Sequence, residues 1–196
     1  VLKTLGLFAL MAQSGLHIPA ERVSLPLFDS MFSDIGDHQS IENDLSTFSA
    51  HLQGITHIIK DSTENSLVLM DELGTGTDPD AGAALSQAIL ENLIEKKVWV
   101  YATTHLGRLK LWAQKENGIL NARMLFDQNQ LKPMYELKTG KPGSSFALEI
   151  AKRMQLKQII IDRAKELLGD KSLRVEFLLT ELEKERREVD KIKTRM

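Results

Sequence analysis

The chain has 196 residues, 42% of them hydrophobic and 27% charged, with a formal net charge of -2 and no cysteine. That is enough to bury one sizeable core with an appendage; the absence of cysteine excludes a disulfide framework and a thiolate metal site, and the net charge argues against a broad basic face. No apolar run is long enough to span a membrane, and the apolar start carries only Lys3 as a basic residue with no small-residue cleavage site, so a cytoplasmic protein is expected.

Val1 to Ser14 carries Leu2, Leu5, Leu7, Phe8, Leu10 and Met11 with few breakers, which predicts a helix buried on most sides and stopped at Gly15. His17 to Ser33 holds two prolines and short apolar runs and reads as short strands or loops, and Asp34 to Asp44 is polar and turn-like. From Leu45 to Ile59 the apolar positions Leu45, Phe48, Leu52, Ile55 and Ile59 recur at three- and four-residue steps, predicting an amphipathic helix. Ser66 to Met70 is a short apolar run ending in acids, as in a strand buried within a parallel sheet. Pro79 to Glu95 has helical periodicity through Ala84, Leu85, Ala88, Ile89 and Leu93, and Val98 to Ala102 reads as a second buried strand; strand, helix, strand makes a βαβ unit. Leu120 to Leu137 looks like a hairpin interrupted at Asp127 to Gln130. Gly140 to Ser145 is a loop before helices at roughly Phe146 to Met154 and Lys157 to Leu168. Beyond Gly169, the residues Leu178, Leu182, Glu185, Val189, Ile192 and Met196 alternate steps of four and three among dense mixed charge, the pattern of an opening coiled coil. Glu185 on the seam keeps open a single solvated helix.

The chemistry concentrates at strand ends. Leu67-Val68-Leu69-Met70-Asp71-Glu72 is four apolar residues followed by two acids, the Walker B pattern: Asp71 is assigned to magnesium, usually held through water, and Glu72 to the base that polarises the attacking water. Two acids that merely terminate a strand would look the same. The turn Gly74-Thr75-Gly76-Thr77-Asp78-Pro79 feeds a helix whose start is marked by Asp78 as cap and Pro79 in its first turn. His105 follows the next strand, where a histidine could sense a terminal phosphate or be purely structural. Ser46 opens the amphipathic helix, where its hydroxyl and the first free amides form an anion site, or it serves only as a cap. Gln39 could ligate magnesium or orient water, and taken alone it is a surface glutamine.

In this order the residues resemble the MutS family of ATPases. The resemblance runs from Val1 to about Leu168 through Ser46-Thr-Phe48, through Ser66-Leu-Val-Leu-Met-Asp-Glu-Leu-Gly-Thr-Gly-Thr77, through Ala102-Thr-Thr-His105 and through Gly140-Lys-Pro-Gly143. Gly15-Leu-His-Ile-Pro-Ala20, Ile35-Gly-Asp-His-Gln-Ser-Ile41 and Thr77-Asp-Pro79 look like the bacterial branch called MutS type two, which resembles a fusion of the ATPase to a C-terminal Smr nuclease domain through a coiled linker. The resemblance implies an α/β P-loop NTPase of ABC type, a mixed, mostly parallel sheet flanked by helices, with a C-terminal helical or coiled-coil extension. It implies ATP and Mg2+ as ligands and a homodimer with two composite sites. In these, Ser46 contacts the terminal phosphate bound by the other subunit, Thr77 belongs to the loop that reaches across the dimer, and His105 is the switch histidine.

Two departures stand out. Many relatives have a glycine before the Ser-Thr-Phe run where this chain has Asp44-Leu45, which puts backbone donation to phosphate from that loop in doubt. The family's Gly-x-x-x-x-Gly-Lys-Thr loop is expected immediately before Val1, and no residue of the 196 replaces its lysine, so the chain as given is expected not to hydrolyse ATP. The resulting expectation is a MutS-like ATPase domain at 1–168 and the start of a coiled-coil linker at 169–196, belonging to a protein that clamps branched DNA or ribosomal RNA and positions a nuclease, away from any membrane. The alternatives are an ABC-type ATPase of chromosome structure or transport, and a non-catalytic dimerisation module; Ser-Thr-Phe in place of Ser-Gly-Gly-Gln speaks against the former.

Overall fold

A computed structural model describes residues 1–36, 47–127, 132–140 and 147–167. The chain divides into two compact units, Val1–Ile119 and Leu120–Met196. The first unit is built on a parallel sheet with strand order β1-β2-β3, where β1 is Ser30–Asp34, β2 is Ser66–Met70 and β3 is Trp99–Ala102. Every residue of β2 is buried, because helices cover both faces of the sheet there. Val68 and Met70 face α2 (Thr47–Asp61) and α3 (Pro79–Glu95) through Ile55, Ile58, Ile89 and Leu93, whereas Leu67 and Leu69 face α1 (Leu2–Gln13) through Leu2 and Ala9. Burying each such side chain contributes roughly 1.5–3 kcal/mol, so this central strand is the most firmly held element of the unit.

The bounds predicted for β2 and α3 match the structure, and Gly15 ends α1 as expected. At φ 72 it lets the Leu16 amide reach Met11 O at 2.8 Å and its own amide reach Ala12 O at 3.1 Å, which satisfies the last turn of the helix. Three expectations are corrected. Helix α1 is buried along one line only; Leu7 and Leu10 are more than half exposed, because the helix meets the sheet through Leu2, Leu5 and Ala9, with Gly6 pressed on Leu69. Strand β3 is largely exposed, with Trp99 48% and Tyr101 41% accessible, since among the described residues it has a neighbouring strand on one side only. In α3 the buried residues are Gly82, Ala83, Ser86, Ile89 and Leu93, whereas Ala84, Leu85 and Ala88 are exposed. Small residues face inward there because the turn before the helix packs directly on its backbone.

Asp34, read as the start of a polar turn, is the buried last residue of β1. After β3 comes α4 (Gly107–Ala113). The second unit contains the predicted hairpin, β4 (Ala122–Asp127) antiparallel to β5 (Lys132–Thr139), as a separate two-stranded sheet. Its register slips between Met124 and Phe126, opposite Tyr135 at φ 58. Helix α5 (Ala147–Arg153) follows, and residues 158–167 are helical. The expected loop at Gly140 to Ser145 lies outside the described residues except for Gly140, and the coiled-coil segment beyond Gly169 lies outside them entirely.

Candidate functional site

The carboxyl ends of three parallel strands place polar groups together at one edge of the first unit. Strand β2 delivers Asp71 and Glu72 there, as the two-acid pattern predicts, and the neighbouring strands fix them. The Asp71 amide donates to Asp34 O at 2.8 Å, tying the first acid to the end of β1. On the other side the Thr103 hydroxyl donates to the Asp71 carboxylate and accepts the Glu72 amide at 2.9 Å. Thr103 therefore sets both the rotamer of one acid and the backbone of the next. The Leu73 amide donates to Thr103 O at 2.8 Å, and the Thr104 hydroxyl donates to Leu73 O at 3.1 Å, so the turn leaving β2 is stitched to the turn leaving β3.

Glu72 is held at φ 49, a left-handed conformation that disfavours any residue with a side chain. Gly74 and Gly76 follow at φ 86 and φ 82. A Cβ on Gly74 would lie 2.5 Å from Ser86 Oγ, and one on Gly82 would lie 2.3 Å from Gly74 O, so the glycine turn and the first turns of α3 touch backbone to backbone. Asp78 caps α3 as expected, accepting from the Asp80 and Ala81 amides at 3.1 and 3.0 Å. Thr77 rests its methyl against Gly82.

Asp71 and Glu72 line a cavity of about 20 Å3 between α2 and α3, together with Asp34, His51, Phe48 and Thr75. This is room for about one water molecule. Of the other residues singled out in the sequence, His105 is exposed three positions past β3 and Thr77 is exposed on the turn; neither lines the cavity. Gln39 and Ser46 lie outside the described residues.

Sequence reasoning missed three participants. Thr103 was passed over for its neighbour His105. Asp34 and His51 form a pair, His51 Nδ1 to Asp34 Oδ2 at 2.8 Å, with the Asp34 residue only 4% exposed. The available signal was His51 itself, a polar residue three positions after Phe48 and four before Ile55, and so on the inward stripe of α2.

Among the described residues no group of three or more His, Asp or Glu side chains is placed to hold a metal ion, and no helix is long and apolar enough to cross a membrane. A single partly exposed carboxylate at Asp71, with its orientation fixed by Thr103, fits a magnesium ion that takes most of its oxygens from phosphates and water.

Comparison with known proteins agrees with the resemblance read from the motifs. The chain is 52% identical over 186 residues to the protein named endonuclease MutS2 of Thermus thermophilus, covering 95% of this chain and 25% of that protein. It is 51% identical over 188 residues to the endonuclease MutS2 of Alkaliphilus metalliredigens, covering 95% and 24%, and 48% identical over 195 residues to that of Finegoldia magna, covering 99% and 25%. The chain spans about a quarter of the length of the curated relatives it matches. A family model described as MutS domain V matches residues 1–171, and the chain belongs to that family.

Proposed function

We propose that the chain is the ATPase domain of a MutS-like nucleic-acid-binding protein, hydrolysing ATP with magnesium at a site shared by two copies. The observation that carries this reading is the acid pair at the carboxyl end of the fully buried strand β2, with Asp71 fixed by Thr103 and Asp34, and with both acids lining the cavity between α2 and α3. Acids that only terminate a strand need neither that anchoring nor a left-handed backbone at the second acid. In the proposed reaction Asp71 would hold magnesium, and Glu72 would orient and polarise the attacking water. Magnesium, when bound with the nucleotide, neutralises charge on the transferring phosphoryl group. His105 senses the terminal phosphate; Gln39 assists at magnesium or water; Ser46 and Thr77 reach the nucleotide bound by the other subunit.

The proposed boundaries are 1–168 for the ATPase domain, which the family match over residues 1–171 supports, and 169–196 for the start of a coiled linker, which rests on the heptad-like spacing of Leu178, Leu182, Val189 and Ile192. The relatives' name supports a nuclease in the same full-length chain. We propose further that the ATPase cycle controls a clamp on branched DNA or ribosomal RNA in the cytoplasm. The test is magnesium-dependent ATP hydrolysis by a chain of the relatives' full length, beside its Glu72→Gln variant. Turnover that disappears with Glu72→Gln is the expected result. No turnover at concentrations high enough to dimerise would replace this reading with a scaffolding module. Filter binding of the same protein to branched DNA and to ribosomal RNA decides the nucleic acid.

A further inference from the structure

The chemistry assigned to Asp71 and Glu72 leaves unused the buried pair beside them. Asp34 faces two ways: its backbone carbonyl accepts the Asp71 amide at 2.8 Å, and its carboxylate accepts from His51 Nδ1 at 2.8 Å. His51 lies one turn into α2 from Phe48, and the Phe48 backbone and Cβ pack on Gly76, where an added Cβ would come within 3.3 Å. The opening turns of α2 therefore touch both halves of the site, the acid pair through Asp34 and the glycine turn through Phe48, and Asp34, Phe48, His51, Asp71 and Glu72 border one cavity.

A part-buried hydrogen-bonded pair of polar side chains is a poor stabiliser compared with apolar side chains of the same volume, because desolvating the polar groups offsets their attraction. What it supplies is direction: a side-chain hydrogen bond is satisfied at one rotation and one height of the helix, whereas apolar contacts tolerate sliding. Gly54, one turn further along α2, brings the helix close to the same carboxylate, since a Cβ there would sit 3.7 Å from Asp34 Oδ1.

We propose that Asp34 and His51 are positioning residues that lock α2 to the end of β1 and thereby set the placement of Asp71. The inference rests on the ATPase reading above. A displacement of α2 is passed to the metal-holding acid through two successive hydrogen bonds, His51 to Asp34 and Asp34 to Asp71.

The experiment uses a chain of the relatives' full length carrying His51→Ala, His51→Gln or the reciprocal exchange Asp34→His with His51→Asp. Two quantities are read: hydrogen–deuterium exchange at the Asp71 amide, and the magnesium concentration giving half-maximal ATP turnover, separately from kcat. His51→Ala is expected to speed exchange at Asp71 about tenfold or more while the amides of Ile89 to Leu93 in α3 keep their protection. It is also expected to raise the half-saturating magnesium concentration about 10- to 100-fold. His51→Gln, which keeps a donor, and the reciprocal exchange, which keeps the pair, should each recover part of both effects; His51→Gln serves alone if His51→Ala does not fold. Unchanged exchange at Asp71, an unchanged magnesium dependence, or a loosening spread equally over β2 and α3 would each overturn the inference. Absence of ATP turnover in the unsubstituted protein would sink the ATPase reading while the exchange measurement still decided the coupling.

Discussion

Replacing Gly82 by alanine puts the packing of the glycine turn to the test, because two effects of opposite sign meet at that position. Gly82 lies in the fourth helical position of α3, where alanine is intrinsically better than glycine by about 1 kcal/mol. Against this, the new Cβ would stand 2.3 Å from Gly74 O and 3.2 Å from Thr77 Cγ2. The nearer atom is backbone and cannot rotate away, so the helix and turn must separate, at an overpacking cost of about 1–3 kcal/mol. The net expectation is a loss of about 0–2 kcal/mol, lowering Tm by roughly 2–4 °C for each kcal/mol in a chain of this size. Gly54→Ala is the control. It is the same substitution inside another helix, but its Cβ would meet only Asp34 Oδ1 at 3.7 Å, an ordinary contact, so the propensity gain survives and Tm should rise. Thermal unfolding followed by far-ultraviolet circular dichroism measures both. A rise in Tm for Gly82→Ala would refute the claim that the turn and helix touch backbone to backbone.

Thr103→Val keeps the shape of the side chain but removes the hydroxyl that serves Asp71 and Glu72; the magnesium concentration for half-maximal ATP turnover should rise about 10- to 100-fold, and an unchanged value would show that the hydroxyl does not set the acid pair. Asp78→Ala strips the cap from α3 and should cost about 1 kcal/mol in urea denaturation, with Asp78→Ser restoring most of it. Leu93→Ala opens a hole at a position with no exposed surface and should cost about 2–5 kcal/mol by the same measurement; a cost below 1 kcal/mol would mean that the core between α3 and the sheet collapses around the gap.

Much of the architecture was legible where the physics is local. Strand β2 announced itself because a strand buried on both faces has to be apolar at every position, and α3 because Asp78 and Pro79 mark a helix start whatever surrounds them. The inward side of α3 was legible in its second half, where the periodic Ile89 and Leu93 are buried, but not in its first. Hydrophobicity singles out Leu85 and Ala88, whereas the structure buries Gly82 and Ser86, since closeness to the Gly74 carbonyl outweighs apolar area there. Exposure of β3 depends on what lies beside it in the sheet, which the apolar run Val98 to Ala102 does not encode. At the site, Asp71 and Glu72 were readable as adjacent acids after an apolar strand, but Asp34, His51 and Thr103 come from separate elements. Their roles arise from strand order, and no short window of sequence contains it.

The left-handed backbone at Glu72 makes this position a place where two selections part company. Holding a side-chain-bearing residue there costs roughly 1–2 kcal/mol that glycine would not incur. A library randomised at position 72 and sorted for resistance to heat or protease should therefore drift toward glycine and asparagine. The same library sorted for ATP turnover should return glutamate. The divergence between the two outcomes would separate what the turn needs from what the reaction needs.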